Sequence, residues 1–459
     1  MCLRSAAVCV LAAAIIFSCG CRNDRASAFT LNQITGTVQL PPGVLEIRDE
    51  LAVPAGAHDL EIVGAPEGTV LRASDDFRGR AVLSLRSARR IRLTGFTIDG
   101  NRPFLEERTE LATSDMPLAE FYCHNGLLAE RVDTLNVSAV RFQNVADFAV
   151  IVSESRGVVL ERIRVADSGS HNSRGRNNSS GGVLFEEGTS EFQVSDSLFT
   201  NILGNGVWTH SLYTSPRNRN GVIRGNTFRN IGRDAIQVGH ATNVRVEDNK
   251  GDFIGYPVGI VDVENVGIPV AIDTAGNVDR SVYAGNRFNE INGKCIDLDG
   301  FHNGEVRGNV CTNQGKAEDY PTGHYGIVMN NSNPDIMSEN IRISENVIDG
   351  TKFGGIFMIG SGHTVVNNKL RNLNTAGCNE SVAKFACLNF AGEPDILQSG
   401  IYLGRGADRP DVARKNTVEG NEISGHRMAS RCIGFAPGVR ASANRIVNNR
   451  CSDAAGEKR

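Results

Sequence analysis

The chain is poor in features that would point to several common functions. Its 459 residues carry a formal charge of only -4, with no basic stripe, so a nucleic-acid-binding groove is excluded. Aromatic residues make up 6%, with a single tryptophan, Trp208. The one long apolar run, Ala6 to Phe17, is too short to span a bilayer. Seven cysteines follow residue 21, at Cys123, Cys295, Cys311, Cys378, Cys387, Cys432 and Cys451. Their spacing matches no zinc pattern and suggests no catalytic thiol.

What is present begins with an address. Arg4, the apolar run and Cys19-Gly20-Cys21 read as a secretory signal similar to those of bacterial lipoproteins. The expectation is an exported protein of the periplasm or outer membrane, tied to the membrane only through a lipid anchor. The division expected is a signal at 1–21, a linker at 22–31, a cap and first coils at 32–80, a solenoid at 81–451 and a tail at 452–459. Export permits oxidation. Cys378 with Cys387 and Cys432 with Cys451 are the expected pairs, and Cys311 is expected as a buried free thiol.

Asparagine recurs at Asn226, Asn249, Asn286, Asn309, Asn346, Asn368, Asn421 and Asn444, with gaps of 23, 37, 23, 37, 22, 53 and 23 residues. One turn of about 23 residues that tolerates insertions is the signature of a solenoid. The segments before each asparagine align into an inward column, Val207, Ile236, Ile272, Ile296, Ile327, Ile356, Ile401 and Ile433. A second column lies two residues on, and period two with β-branched residues means a short strand. Stacked in parallel, each asparagine amide can bond the ones above and below.

Three short strands and an asparagine turn per rung resemble the right-handed parallel β-helix of the pectate-lyase-like superfamily. The stretch Val38 to Ser74 is similar to the first coils of its polygalacturonase-type glycosidases. The resemblance implies an all-β single-stranded solenoid with catalytic aspartates on the first-strand sheet. The motifs of those glycosidases, Asn-Thr-Asp, Asp-Asp, Gly-His-Gly and Arg-Ile-Lys, are not intact here, so the site's location carries over and the galacturonan substrate does not.

Insertions at about 103–123, 168–180, 251–269, 313–324 and 371–398 all fall between a third strand and the next first strand. They are expected to crowd one edge of the first-strand sheet and mark its outer face as the working face. Outward residues there run Leu184, Trp208, Gln237, Asp273, Asp297, Val328, Phe357 and Tyr402 in one column. In the next they run Glu186, His210, Gly239, Ala275, Asp299, Asn330, Ile359 and Gly404.

Asp273 and Asp297 are expected about 4.8 Å apart on adjacent rungs, and Asp297 and Asp299 about 6.6 Å apart along one strand. Carboxylates so close cannot all ionise, and glycoside hydrolysis uses one protonated and one ionised carboxyl. The expected catalytic set is therefore Asp273, Asp297 and Asp299, with Asp297 as acid and Asp299 or Asp273 as base. Glu186, Trp208, Gln237, His210, His240 and His302 are expected to bind an oligo- or polysaccharide, Trp208 by stacking on a sugar ring. No cofactor is required, although the aspartates could instead hold calcium. The alternatives are a calcium-dependent polysaccharide lyase or uronate epimerase, which the scarcity of cations in the middle rungs disfavours, and a non-catalytic glycan-binding surface β-helix.

Overall fold

A computed structural model describes residues 29–454 except 109, 111, 114–115, 333–335, 379–397 and 407–408. The expected signal and the Cys387 half of the Cys378 pair lie outside the described residues. From Gly36–Gln39 to Arg450–Asp453 the chain winds into one stack of parallel rungs. A representative rung has strands Val207–His210, Asn218–Arg224 and Thr227–Ile231. Each lies on its counterpart in the next rung, with Val207 beside Ile236, Val222 beside Arg245 and Phe228 beside Gly251.

The inward columns form a continuous apolar core. Val207, Ile236, Ile327, Ile356 and Ile401 have no exposed surface, and Phe199 stacks on Phe228 with ring centroids 4.9 Å apart. Between Phe228 and Phe288 sits Gly251, where a Cβ would come within 2.8 Å of the Phe288 ring. The core thus takes large aromatics because the intervening rung yields its side chain.

The asparagine ladder is continuous. Asn286 donates through Nδ2 to Asn309 Oδ1 at 2.8 Å and to the Val246 carbonyl at 2.9 Å. Its own Oδ1 accepts the backbone N–H and the amide of Asn249. The same pattern joins Asn226, Asn249, Asn309, Asn346, Asn368 and Asn421. The last member is Asn449, which accepts from Asn421 at 2.9 Å, and not Asn444. Asn444 precedes strand Arg445–Val447 and accepts the Asn416 N–H at the opposite corner of the rung. Spacing alone had favoured it, but the corner it occupies is fixed by the strand that follows.

Cys432 and Cys451 are joined as expected, Cα atoms 5.7 Å apart. Cys311 is not free: it pairs with Cys295 across the rung, Cα atoms 6.0 Å apart. Both pairs use one geometry. The residue before the inward column is usually glycine, and a Cβ at Gly206 or Gly326 would point at the third-strand residue of its own rung, Phe228 or Ile348. A cysteine in that column faces a cysteine in the third strand. Cys378 is also disulfide-bonded.

The five insertions do fall between third and first strands, although Lys250–Ile254 and Lys369–Leu373 are strands within two of the expected ranges. The expectation of a single crowded edge is corrected. Residues 211–217, 331–341 and 404–416 are inserted between first and second strands, at the opposite edge. The first-strand sheet therefore has a wall on each side. Its N-terminal part is roofed by the helix Leu118–Phe121, whose Leu118, Ala119 and neighbouring Tyr122 pack on Leu128, Ile151 and Leu184. Among the described residues no helix is long and apolar enough to cross a membrane.

Candidate functional site

The outer face of the first-strand sheet carries three columns in its middle rungs. Two are those the alternation implies: Trp208, Gln237 and Asp273 lie side by side, Asp297 precedes Val328, and Asp299 precedes Asn330. Because Ile272 pairs with Ile296, Asp273 and Asp297 occupy neighbouring rungs. The third column, Asn205, Asp234 and Lys294, follows from the corner just described. Two successive residues turn inward there, so the residue before them faces out again.

These columns carry several separate polar contacts. Asn205 Nδ2 donates to Gln237 Oε1 at 2.8 Å, and Gln237 Nε2 donates to Asp273 Oδ2 at 2.7 Å. Lys294 Nζ lies 2.5 Å from Asp297 Oδ2, while Asp297 Oδ1 accepts the Leu298 N–H at 3.0 Å. Asp234 Oδ1 accepts the Val270 N–H at 2.9 Å, and Arg233 Nε lies 3.4 Å from Oδ2, an ion pair without a hydrogen bond. Asp299 leans toward the second wall and accepts from Ser332 N at 2.8 Å and Ser332 Oγ at 2.5 Å.

Electrostatics separates these carboxyls. Asp273 is 7% exposed. Its burial, and then the charges of Asp234 and Asp297, hold its pKa well above the carboxylate range. Burial pushes Asp234 to about 6 against the opposing charge of Arg233. Asp299 is raised by burial against its Ser332 hydrogen bonds. At Lys294 burial opposes the charge, but Asp297, Asp273 and Asp234 outweigh it and the pKa rises. The cluster thus sets Asp273, whose surroundings favour the protonated form, one rung from Asp297, which is paired with Lys294.

The flanking residues are less uniform. Trp208 is half-buried, 5.2 Å from the His210 ring and 6.3 Å from Phe148. His240 is nearly buried against Tyr213, ring centroids 4.9 Å apart. His302 lies beyond the Gly300 turn on a short strand paired to Asp279, away from the three columns. Glu186 has no exposed surface, which corrects its reading as a cleft residue. The inserted helix covers it, and its oxygens accept the N–H groups of Leu118 at 2.9 Å and Ala119 at 2.7 Å. Burial pushes its pKa up to about 8.

No family model matches the chain, and no curated protein sequence matches it significantly. Solved structures do resemble it. DFA-IIIase from Arthrobacter chlorophenolicus A6 is 13% identical with a TM-score of 0.52, over 90% of this chain and 87% of that one. The catalytic domain of a GH87 alpha-1,3-glucanase in complex with tetrasaccharides is 12% identical with a TM-score of 0.53, over 90% and 64%. PfbA, a surface adhesin of Streptococcus pneumoniae, is 14% identical with a TM-score of 0.51, over 73% and 80%. The fold is the right-handed parallel β-helix that these structures share. That fold is common to an adhesin and a glucanase, so it selects no activity.

Within this β-helix, sequence reasoning missed Asp234, Lys294 and Arg233. Its reading of the middle rungs as poor in cations is corrected by Lys294, in the floor itself, and by Arg233 beside it. A strict two-residue alternation hides the third column. The signal was available in Asp234-Ala235-Ile236 and Lys294-Cys295-Ile296, where a charged residue stands two places before the inward isoleucine.

Proposed function

We propose that the chain is an exported glycoside hydrolase that cleaves an oligo- or polysaccharide between Asp273 and Asp297. The observation that carries this reading is the contrast between two adjacent carboxyls: Asp273, buried and contacted by the neutral Gln237 amide, and Asp297, paired with the Lys294 ammonium. Asp273 gives its proton to the glycosidic oxygen as the bond to carbon breaks. Asp297 either takes a proton from the attacking water or attacks the carbon itself. This reverses the acid and base roles expected from sequence, because the two carboxyls are equally buried, each 7% exposed, and differ in their partners, a neutral amide at Asp273 and the Lys294 ammonium at Asp297. Gln237 and Asn205 orient Asp273, and Trp208 offers a ring on which a sugar can stack.

No cofactor is needed in this scheme. The N-terminal signal supports export to the bacterial periplasm or outer membrane with a lipid anchor. Lys294 also favours a second reading, a uronate-containing glycan whose carboxylate it would meet. A lyase acting there needs a base, and the raised pKa of Lys294 makes it a poor one. The test is a screen of neutral and uronic glycans with and without chelator, following reducing ends and absorbance at about 235 nm, the unsaturated-uronate signature of β-elimination. Reducing ends without absorbance, abolished by Asp273→Asn, support hydrolysis. Chelator-sensitive absorbance would replace hydrolysis by elimination, and no turnover of any glycan would leave glycan binding alone.

A further inference from the structure

Toward the N-terminal end of the same sheet, apart from the carboxylate pair, Glu186, Glu187 and His210 each bring one donor atom to within 4.8 Å of the others. Glu186 and His210 are ladder partners on adjacent rungs. Glu187 follows in a left-handed turn, φ 52°, and its Oε1 accepts the Leu212 N–H at 2.9 Å. The three side chains therefore converge from two strand ends at the foot of the 211–217 loop.

The polar groups of this pocket are not all satisfied. The Glu186 oxygens receive only neutral backbone N–H groups, and among the described residues no lysine or arginine pairs with Glu186 or Glu187. His210 Nδ1 is shut off from solvent and has no hydrogen-bond partner. His240, more than nine-tenths buried, stands close enough to feel both Glu187 and His210, and its Nδ1 is likewise without a partner. A solvent-shielded imidazole nitrogen of His210 without a partner, where three potential donor side chains converge, is the deficit that a bound cation fills.

We infer that Glu186, Glu187 and His210 bind a divalent transition-metal ion. The mixed nitrogen and oxygen set suits zinc or manganese better than calcium, which takes oxygen ligands almost exclusively. Metal–ligand bonds of about 2.0–2.2 Å place donors roughly 3 to 4 Å apart, so the pocket closes slightly on loading. The ion ties three pieces together: the sheet, the helix Leu118–Phe121 through Glu186, and the 211–217 loop through Glu187. Its role is to fix the roof and one wall at the N-terminal end of the cleft.

The test uses the full mature chain after chelator treatment, with Zn2+, Mn2+, Ca2+ and Mg2+ as probes, in calorimetry and thermal unfolding. Expected are one equivalent of Zn2+ or Mn2+ bound, a higher Tm, and a weaker response to Ca2+ and Mg2+. Glu187→Gln and His210→Gln should each weaken binding by at least about 10-fold. Glu187→Gln keeps an oxygen for the Leu212 N–H, so it decides the matter even if His210→Gln folds poorly. The site is refuted by an absence of stoichiometric binding in the wild type, or by binding that Glu187→Gln leaves unchanged. Neither outcome bears on hydrolysis at Asp273 and Asp297.

Discussion

Asp273 and Asp297 stand on neighbouring rungs and face the same way, yet Asp273 takes a hydrogen bond from the Gln237 amide and Asp297 an ion pair from Lys294. A repeat makes their backbones equivalent. Their neighbours make them chemically opposite.

Asp273→Asn should lower kcat by about 10²- to 10⁴-fold, the usual worth of a positioned acid. Its Tm should hold or rise, because the amide replaces a carboxyl whose charged form is disfavoured by burial and by the charges of Asp234 and Asp297. A substrate with a good leaving group should recover much of the lost rate in Asp273→Asn but not in Asp297→Asn. Equal recovery in both would reject the assignment of Asp273 as acid. Retained full activity in both would remove the pair from catalysis altogether.

The raised pKa of Asp234, about 6 against the ordinary aspartate value of 3.8, carries a signed pH dependence. Between these values the folded state binds more protons than the unfolded one, so stability falls as pH rises through the window. Below it both states are protonated and the penalty vanishes; above about 6 the penalty is complete. Asp234→Asn should therefore gain stability relative to wild type on going from pH 4 to 7, by at most about 3 kcal/mol. Parallel Tm curves for the two proteins across that range would contradict it.

Breaking the Cys295–Cys311 bridge should cost stability. Its two cysteines are 16 residues apart, and releasing a loop of this size restores unfolded-state entropy worth about 3 kcal/mol. Cys311→Ser and Cys295→Ser should melt at similar, lowered temperatures. Because the bridge lies behind the floor that carries Asp297, activity at temperatures well below Tm should survive.

Asn286→Ala should be among the most damaging single changes. It removes bonds to Asn309 and Val246 and leaves the Asn249 N–H and amide without their acceptor, each orphan costing about 1 to 3 kcal/mol. Asn449→Ala, at the end of the ladder, should cost less. Chemical denaturation of the two variants compares them directly, and equal losses would mean that the ladder does not act through both neighbours.

Much of this was legible from the chain alone. The inward isoleucine column, the asparagine ladder up to Asn421, the Cys432–Cys451 bridge and the adjacency of Asp273 to Asp297 all follow from a period, because stacking turns sequence spacing into spatial register. Tertiary structure decided the rest. It moved the ladder's end to Asn449, paired Cys311 with Cys295, buried Glu186 beneath an inserted helix, and brought Asp234 and Lys294 onto the floor. A repeat specifies what lies one rung above or below. Which way a corner residue turns, and what an inserted loop covers, depend on contacts between segments whose separation no period encodes.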